Sequence, residues 1–194
     1  MYNYQKNLKL LTENHVYSKD MEHDACGVGV IVSTEGKKSR KIVEYGIEAL
    51  KAVWHRGAVD ADGKTGDGAG IHVEIPKDFF IEKIEVTGHD YDNSEICVGM
   101  IFLPRNDYTS QESCKTIVES ELTKNDFSIY GWRQVPVNPK ILGEKAFQTM
   151  PEIIQVLFKP NDPNLVDKNL ERKIYETRKK IENKAFELSL NNFY

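Results

Sequence analysis

The run Gly27-Val28-Gly29-Val30-Ile31-Val32, closed by Ser33-Thr34-Glu35-Gly36, constrains this chain more than any other stretch. Four of its six residues are β-branched and a turn signal ends it, which is the composition of a short buried strand. A buried strand requires a sheet with covered faces, so the chain has to build one. Cys26 stands at the leading end of the run, between the small residues Ala25 and Gly27.

A cysteine so placed has two readings. Free cysteine is among the most buried residue types and usually behaves as a small hydrophobe. If the chain is cut between Ala25 and Cys26, however, the new α-amino group, with a pKa of about 7.7–8.0, lies beside a thiol whose pKa is about 8.5. That amine can accept the thiol proton near neutral pH, so one residue supplies both nucleophile and base. Gly27 and Gly29 carry no side chain, which lets a substrate approach the backbone beside the sulfur.

With 194 residues, 40% of them hydrophobic and 29% charged, the chain can bury one sizeable core. A net charge of −4 with interspersed lysine, arginine and acids leaves no footprint for nucleic acid. No stretch approaches the roughly 20 apolar residues of a membrane span, and the amino terminus lacks a signal-peptide core. Cys26, Cys97 and Cys114 form an odd set without Cys-x-x-Cys spacing, so neither a disulfide framework nor a zinc site is indicated. A reducing, cytoplasmic setting is expected, with Cys97 in a strand and Cys114 in a helix, both structural.

Two further motifs stand downstream: Trp54-His55-Arg56-Gly57-Ala58, and Lys64-Thr65-Gly66-Asp67-Gly68-Ala69-Gly70-Ile71. Gly63-Lys64-Thr65 ends like a phosphate-binding loop, but Ala58 stands where its first glycine belongs and Asp60 and Asp62 would repel phosphate. An EF-hand fails because Lys64 takes a ligand position and Ile71 replaces the bidentate Glu. The Gly27/Gly29 pair lacks the third glycine of a dinucleotide fingerprint, Val32 standing there. The segment from Asp60 to Gly70 reads as a flexible turn entering a strand at Ala69–Ile75, on which His72 is a satisfied strand histidine.

Taken with Asp24-Ala25-Cys26-Gly27-Val28-Gly29, in this order and spacing, these motifs resemble the start of a class II, or amino-terminal-nucleophile, glutamine amidotransferase domain. Such domains generally run from His-Arg-Gly almost directly into the acidic Gly-Ile segment. The nine residues from Ala58 to Gly66 lengthen that link in the way of glutamate synthase large subunits. Gly131-Trp132-Arg133-Gln134-Val135-Pro136-Val137-Asn138 and Leu170-Glu171-Arg172-Lys173-Ile174-Tyr175 also resemble that family. The resemblance implies an α+β, Ntn-hydrolase-like four-layer αββα sandwich, incomplete in this chain. Residues 1–25 would be a propeptide-like extension and 26–194 the front part of the amidotransferase domain. It implies Cys26 as catalytic residue, with Gly27, Arg56, Asp67 and Gly68 in supporting loops, and L-glutamine as substrate. It implies no cofactor in this chain, FMN and an iron–sulfur cluster in the full-length enzyme, and as partners the remaining synthase domains and a small electron-donating subunit. Read without the resemblance, residues 1–25 are an ordinary extension and Arg56 is a helix C-terminal cation.

Elsewhere the patterning places helices at Gln5–Leu11, Arg40–Trp54 capped by Ser39, Pro76–Ile81, Asp107–Leu122, Gly143–Met150 (helix or turn) and Leu165–Leu190. Gly57 is suited to a left-handed residue ending the second of these. Strands are expected at Glu95–Leu103, Ser128–Val137, where Trp132 is core or interface, and Glu152–Phe158. In the last helix, Leu170, Ile174, Tyr175, Ile181 and Phe186 form the expected apolar stripe, with Arg178-Lys179-Lys180 on a solvated face.

The resembled family completes its site with an arginine that grips the substrate carboxylate and an Asn-Gly pair that stabilises the oxyanion. This sequence has no Asn-Gly dipeptide and ends at Asn191-Asn192-Phe193-Tyr194, at the start of a further strand. Loss of one oxyanion donor alone typically costs about 100- to 1,000-fold, so these residues by themselves are expected to be inactive. A non-catalytic interaction module on a truncated amidotransferase fold is the alternative.

Overall fold

Three strands, β1 (Cys97–Leu103), β2 (Phe127–Gln134) and β3 (Glu152–Pro160), form one antiparallel sheet in the order β1-β3-β2. The computed structural model describes residues 4–14, 18 and 27–194, the side chains of 4, 5, 8, 11 and 56 excepted. Chain contacts divide it into two units, Met1–Ala58 with Asp67–Ile71, and Val59–Gly66 with His72–Tyr194. Helix α1 (Tyr4–Asn14) and helix α2 (Arg40–Ala52) belong to the first, and the sheet belongs to the second.

β3 is central because it is apolar on both sides. Val156 and Phe158 join Cys97, Val118, Leu122, Phe127 and Leu170 in one buried cluster, whereas the intervening Leu157 joins Phe80, Ile84, Ile96 and Tyr130 in another. This period-2 alternation sends successive side chains to opposite faces. Helices α4 (Tyr108–Lys124) and α6 (Asp167–Glu187) contribute to the first cluster, and α3 (Lys77–Val86) to the second. The expectation of an incomplete α+β fold is met by this mixture of helices and one antiparallel sheet, and no second sheet forms among the described residues.

α4 starts where its sequence says it should. The Asp107 carboxylate accepts from the Ser110 backbone N–H at 3.0 Å and from its hydroxyl at 2.6 Å, satisfying a donor that the first turn leaves unpaired. Cys114, Ile117, Val118 and Leu122 face inward at helical spacing. In α6 the buried stripe runs through Leu170, Thr177 and Ala185, with Ile174 and Ile181 packed beside it. Tyr175 and Phe186 are outside it, 54% and 86% exposed. Each lies one position, about 100°, beyond a stripe residue, so the expected stripe is corrected at those two places. Arg178 and Lys179 both pair with Glu182 on the solvated face. Trp132 packs against the core and donates its indole N–H to Glu119 at 2.7 Å.

Both described cysteines are buried and structural. Burial pushes the Cys97 thiol up to about 12 and raises that of Cys114 as well, so neither is a nucleophile near neutral pH. Gly131 sits at a bulge in β2 with φ +151°, and a Cβ there would meet Thr87 Cγ2 at 2.8 Å; only glycine fits both conditions. Tyr194 exchanges backbone hydrogen bonds of 3.1 and 2.7 Å with Phe102 on the β1 edge.

Two expected strands are absent. Gly27–Val32 and Ala69–Ile75 are irregular, and Val28, Val30 and Val32 are 72–86% exposed. A strand's N–H and C=O groups need a ladder, and among the described residues neither run has one.

The link Val59–Gly66 is fastened, where the sequence suggested a flexible turn. A bridge joins Val59 to Gly66, and the Asp60 N–H donates to the Thr65 carbonyl at 2.7 Å. The Asp62 carboxylate accepts from the Thr65 hydroxyl at 2.6 Å and from the backbone N–H groups of Lys64 and Thr65 at 2.9 and 2.7 Å. These bonds, with another from the Glu144 backbone, lower its pKa to about 2. The Asp62 carboxylate lies against Gly143, the N-cap of the short helix α5 (Glu144–Thr149), where a Cβ would collide with it. A Cβ on Gly143 would lie 2.2 Å from Thr65 Oγ1 and 2.6 Å from the Thr65 nitrogen, so the seat admits glycine alone. Lys145 pairs with Asp60 beside it.

Candidate active site

The first unit brings two of the sequence motifs together. α2 begins at Ser39, whose hydroxyl accepts from the Lys41 N–H at 3.2 Å in an extended N-cap conformation. It ends at Ala52, two residues short of the expectation, and tightens into a 3₁₀ turn over Trp54–Arg56. The Gly57 N–H closes that turn on the Trp54 carbonyl at 3.0 Å. Such a closure satisfies a terminal carbonyl without a left-handed residue, and Gly57 is accordingly extended, with φ −86° and ψ 157°. The expected left-handed Gly57 is thus corrected. The tighter turn also swings Trp54 off the helix stripe, leaving it 75% exposed. His55 Nδ1 donates to the Ala52 carbonyl at 3.2 Å and steadies the same turn.

Immediately after Gly57 the chain meets Asp67. The Ala58 N–H donates to Asp67 Oδ2 at 2.8 Å, and the Asp67 N–H donates to the Ala58 carbonyl at 3.2 Å. This reciprocal pair fixes the end of the His55-Arg56-Gly57 turn against the start of Asp67-Gly68-Ala69-Gly70. A carboxylate accepting from a backbone amide makes one of the stronger neutral-to-charged hydrogen bonds, and here it replaces a sequence separation of nine residues by direct contact. Asp67 therefore holds the backbone that carries Arg56. Gly68 is exposed, with nothing within 4 Å of where a Cβ would stand.

Cys26 lies outside the described residues, as do 19–25. Gly27 is exposed. The structure joins the Arg56 turn to Asp67 and leaves Gly27 unconnected to either among the described hydrogen bonds. His72 is exposed and outside any strand, contrary to the strand histidine expected. Sequence reasoning missed the contact of Asp62 with Gly143; Asp62-Gly63-Lys64-Thr65 carries an Asx-turn signal, but nothing local points 81 residues ahead to its partner. No group of three or more His, Cys, Asp or Glu suited to a metal occurs among the described residues, and none of their helices is long and apolar enough to cross a membrane.

A family model described as glutamine amidotransferases class-II matches residues 26–194. The chain belongs to the class II glutamine amidotransferases. This amidotransferase chain is 49% identical over 191 residues to the glutamate synthase [NADPH] large chain of Azospirillum brasilense, covering 98% of the chain and 12% of that protein. It is 41% identical over 162 residues to the ferredoxin-dependent glutamate synthase 2, chloroplastic, of Arabidopsis thaliana, covering 83% of the chain and 10% of that protein. Against the glutamate synthase [NADH] of Saccharomyces cerevisiae it is 35% identical over 193 residues, covering 91% of the chain and 9% of that protein. The amidotransferase chain thus spans about a tenth of the length of these curated relatives.

Proposed function

We propose that the chain is the glutaminase part of a glutamate synthase, with Cys26 as its nucleophile once residues 1–25 are removed. The observation that carries this reading is that the class II amidotransferase match begins at residue 26, the cysteine itself. In the proposed mechanism the Cys26 α-amino group takes the thiol proton, and the thiolate attacks the carboxamide carbon of glutamine. The proton passes to the departing nitrogen, so ammonia leaves and a γ-glutamyl thioester remains. Water, deprotonated by the same amine, then releases glutamate and restores the thiol.

Arg56, Asp67, Gly27 and Gly68 support the loops around this residue. The Asp67–Ala58 pair favours that assignment, since it holds the Arg56 turn in one place. Released ammonia would be used with 2-oxoglutarate in the remaining synthase domains, where FMN and an iron–sulfur cluster would supply the reducing chemistry, with a small subunit as electron donor. The cluster's ligands would lie in those domains, since no group of three or more His, Cys, Asp or Glu suited to a metal occurs among the described residues here. The setting is cytoplasmic, residues 1–25 act as propeptide and residues 26–194 as the front of the domain.

Labelling tests the nucleophile. A diazoketone analogue of glutamine added to the full-length protein is expected to alkylate Cys26 once per chain, with glutamine protecting. Labelling of Cys97 or Cys114 instead, or none, overturns the assignment.

A further inference from the structure

α2 carries a glycine, Gly46, inside its run of helical residues, where glycine is the least favourable residue after proline. Its place on the half-buried side of the helix, beside Ile42, Val43, Ile47 and Leu50, calls for a packing reason. Ile71 supplies one. A Cβ on Gly46 would lie 2.9 Å from Ile71 Cδ1 and 3.8 Å from its Cγ1, so the missing side chain is a notch and the isoleucine tip fills it. Ile71 ends the segment whose first residue, Asp67, is bonded to Ala58. That segment is therefore fastened to α2 and its terminal turn at both ends. Between the two fastenings, Gly68 and Gly70 have nothing within 4 Å of their would-be Cβ positions, so no packing crowds either glycine there.

We propose that Gly46 is a positioning residue for the glutaminase site: the notch sets how deeply Ile71 seats, and with it where Asp67 and Gly68 stand beside the Arg56 turn. This rests on the reading of Cys26 as nucleophile. Carbon atoms pack best at about 3.5–4.0 Å, so a methyl at position 46 displaces the isoleucine tip by about 0.6–1.1 Å. The branch at Cβ makes Ile71 stiff about χ1, so the displacement is shared between rotation of Cδ1 about χ2, on a side chain 46% exposed, and a shift of the backbone. A misplacement of about 1 Å away from the chemistry can cost about 100-fold in rate.

The test uses the full-length synthase. Gly46→Ala improves helix propensity, so its melting temperature is expected to be unchanged or higher, while glutamine-dependent kcat falls about tenfold or more and ammonia-dependent glutamate formation is retained. Ile71→Val removes Cδ1, the atom at 2.9 Å. The double variant Gly46→Ala/Ile71→Val is therefore expected to return kcat to within about threefold of Ile71→Val alone. Wild-type glutamine kinetics in Gly46→Ala, or a double variant as impaired as the single, overturns the proposal. So does a parallel loss of melting temperature and ammonia-dependent activity, which would mark a folding role. Full glutamine turnover in Cys26→Ala would instead remove the nucleophile reading itself, so the two failures are distinguishable.

Discussion

Full-length protein carrying Cys26→Ala is expected to lose glutamine hydrolysis by about a millionfold, the scale on which enzymes fall when the covalent nucleophile is removed. The size of the effect follows from the absence of a substitute. The Cys97 and Cys114 thiols are buried and held protonated by that burial, and neither is close in sequence to the two motifs that the Asp67–Ala58 pair brings together. Ammonia-dependent glutamate formation, which bypasses the thioester, is expected to continue at the wild-type rate. Steady-state assays with glutamine and with ammonium as alternative nitrogen donors separate the two reactions. Glutamine turnover unchanged in Cys26→Ala would remove the mechanism.

Phe127→Ala is expected to lower the stability of the sheet-bearing unit by about 3–5 kcal/mol, the range for deleting a buried aromatic ring. Phe127 is 1% exposed and opens β2 opposite Pro160. Its ring meets Phe158 edge-on, with centroids 5.2 Å apart and an interplanar angle of 89°, the geometry that ring quadrupoles favour. The Lys173 ammonium lies 5.6 Å from the same ring, which adds a cation–π contact. Truncation empties the junction of β2, β3 and α6, and with total stabilities of about 5–15 kcal/mol such a loss nearly unfolds the unit. Urea titration of the chain is expected to show a lower midpoint at unchanged slope. A loss below about 1 kcal/mol would mean that this cluster is not the core.

The elements of the second unit were legible because their sequences carry their own periods. Ile153, Ile154, Val156, Leu157 and Phe158 make β3 apolar apart from the single Gln155, as suits a central strand, and Asp107 announces α4 by the residue type that caps helices. Where burial depends on a partner, the residues mislead. Gly27–Val32 has the composition of a strand, yet composition cannot supply a ladder, and its valines stand in solvent. The end of α2 shows the same limit at smaller scale, since a 3₁₀ closure and a left-handed glycine both suit Trp54-His55-Arg56-Gly57, and only the Gly57–Trp54 hydrogen bond distinguishes them. Tyr175 and Phe186 were misplaced because one residue of helix turns a side chain by about 100°.

The candidate site was legible in another way. Arg56 and Asp67 carry no signal that they meet, and family resemblance put them in one site; the structure then shows the main chain beside Arg56 bonded to Asp67. The anchoring of Asp62 on Gly143 is a contact between residues 81 positions apart, and no local pattern encodes it.

The mass of the intact, active full-length protein tests the central claim most directly. The account predicts a chain that begins at Cys26, lighter than the translated sequence by residues 1–25, with the α-amino group on the nucleophilic cysteine. A fully active enzyme whose chain still begins at Met1 or Tyr2 would contradict it.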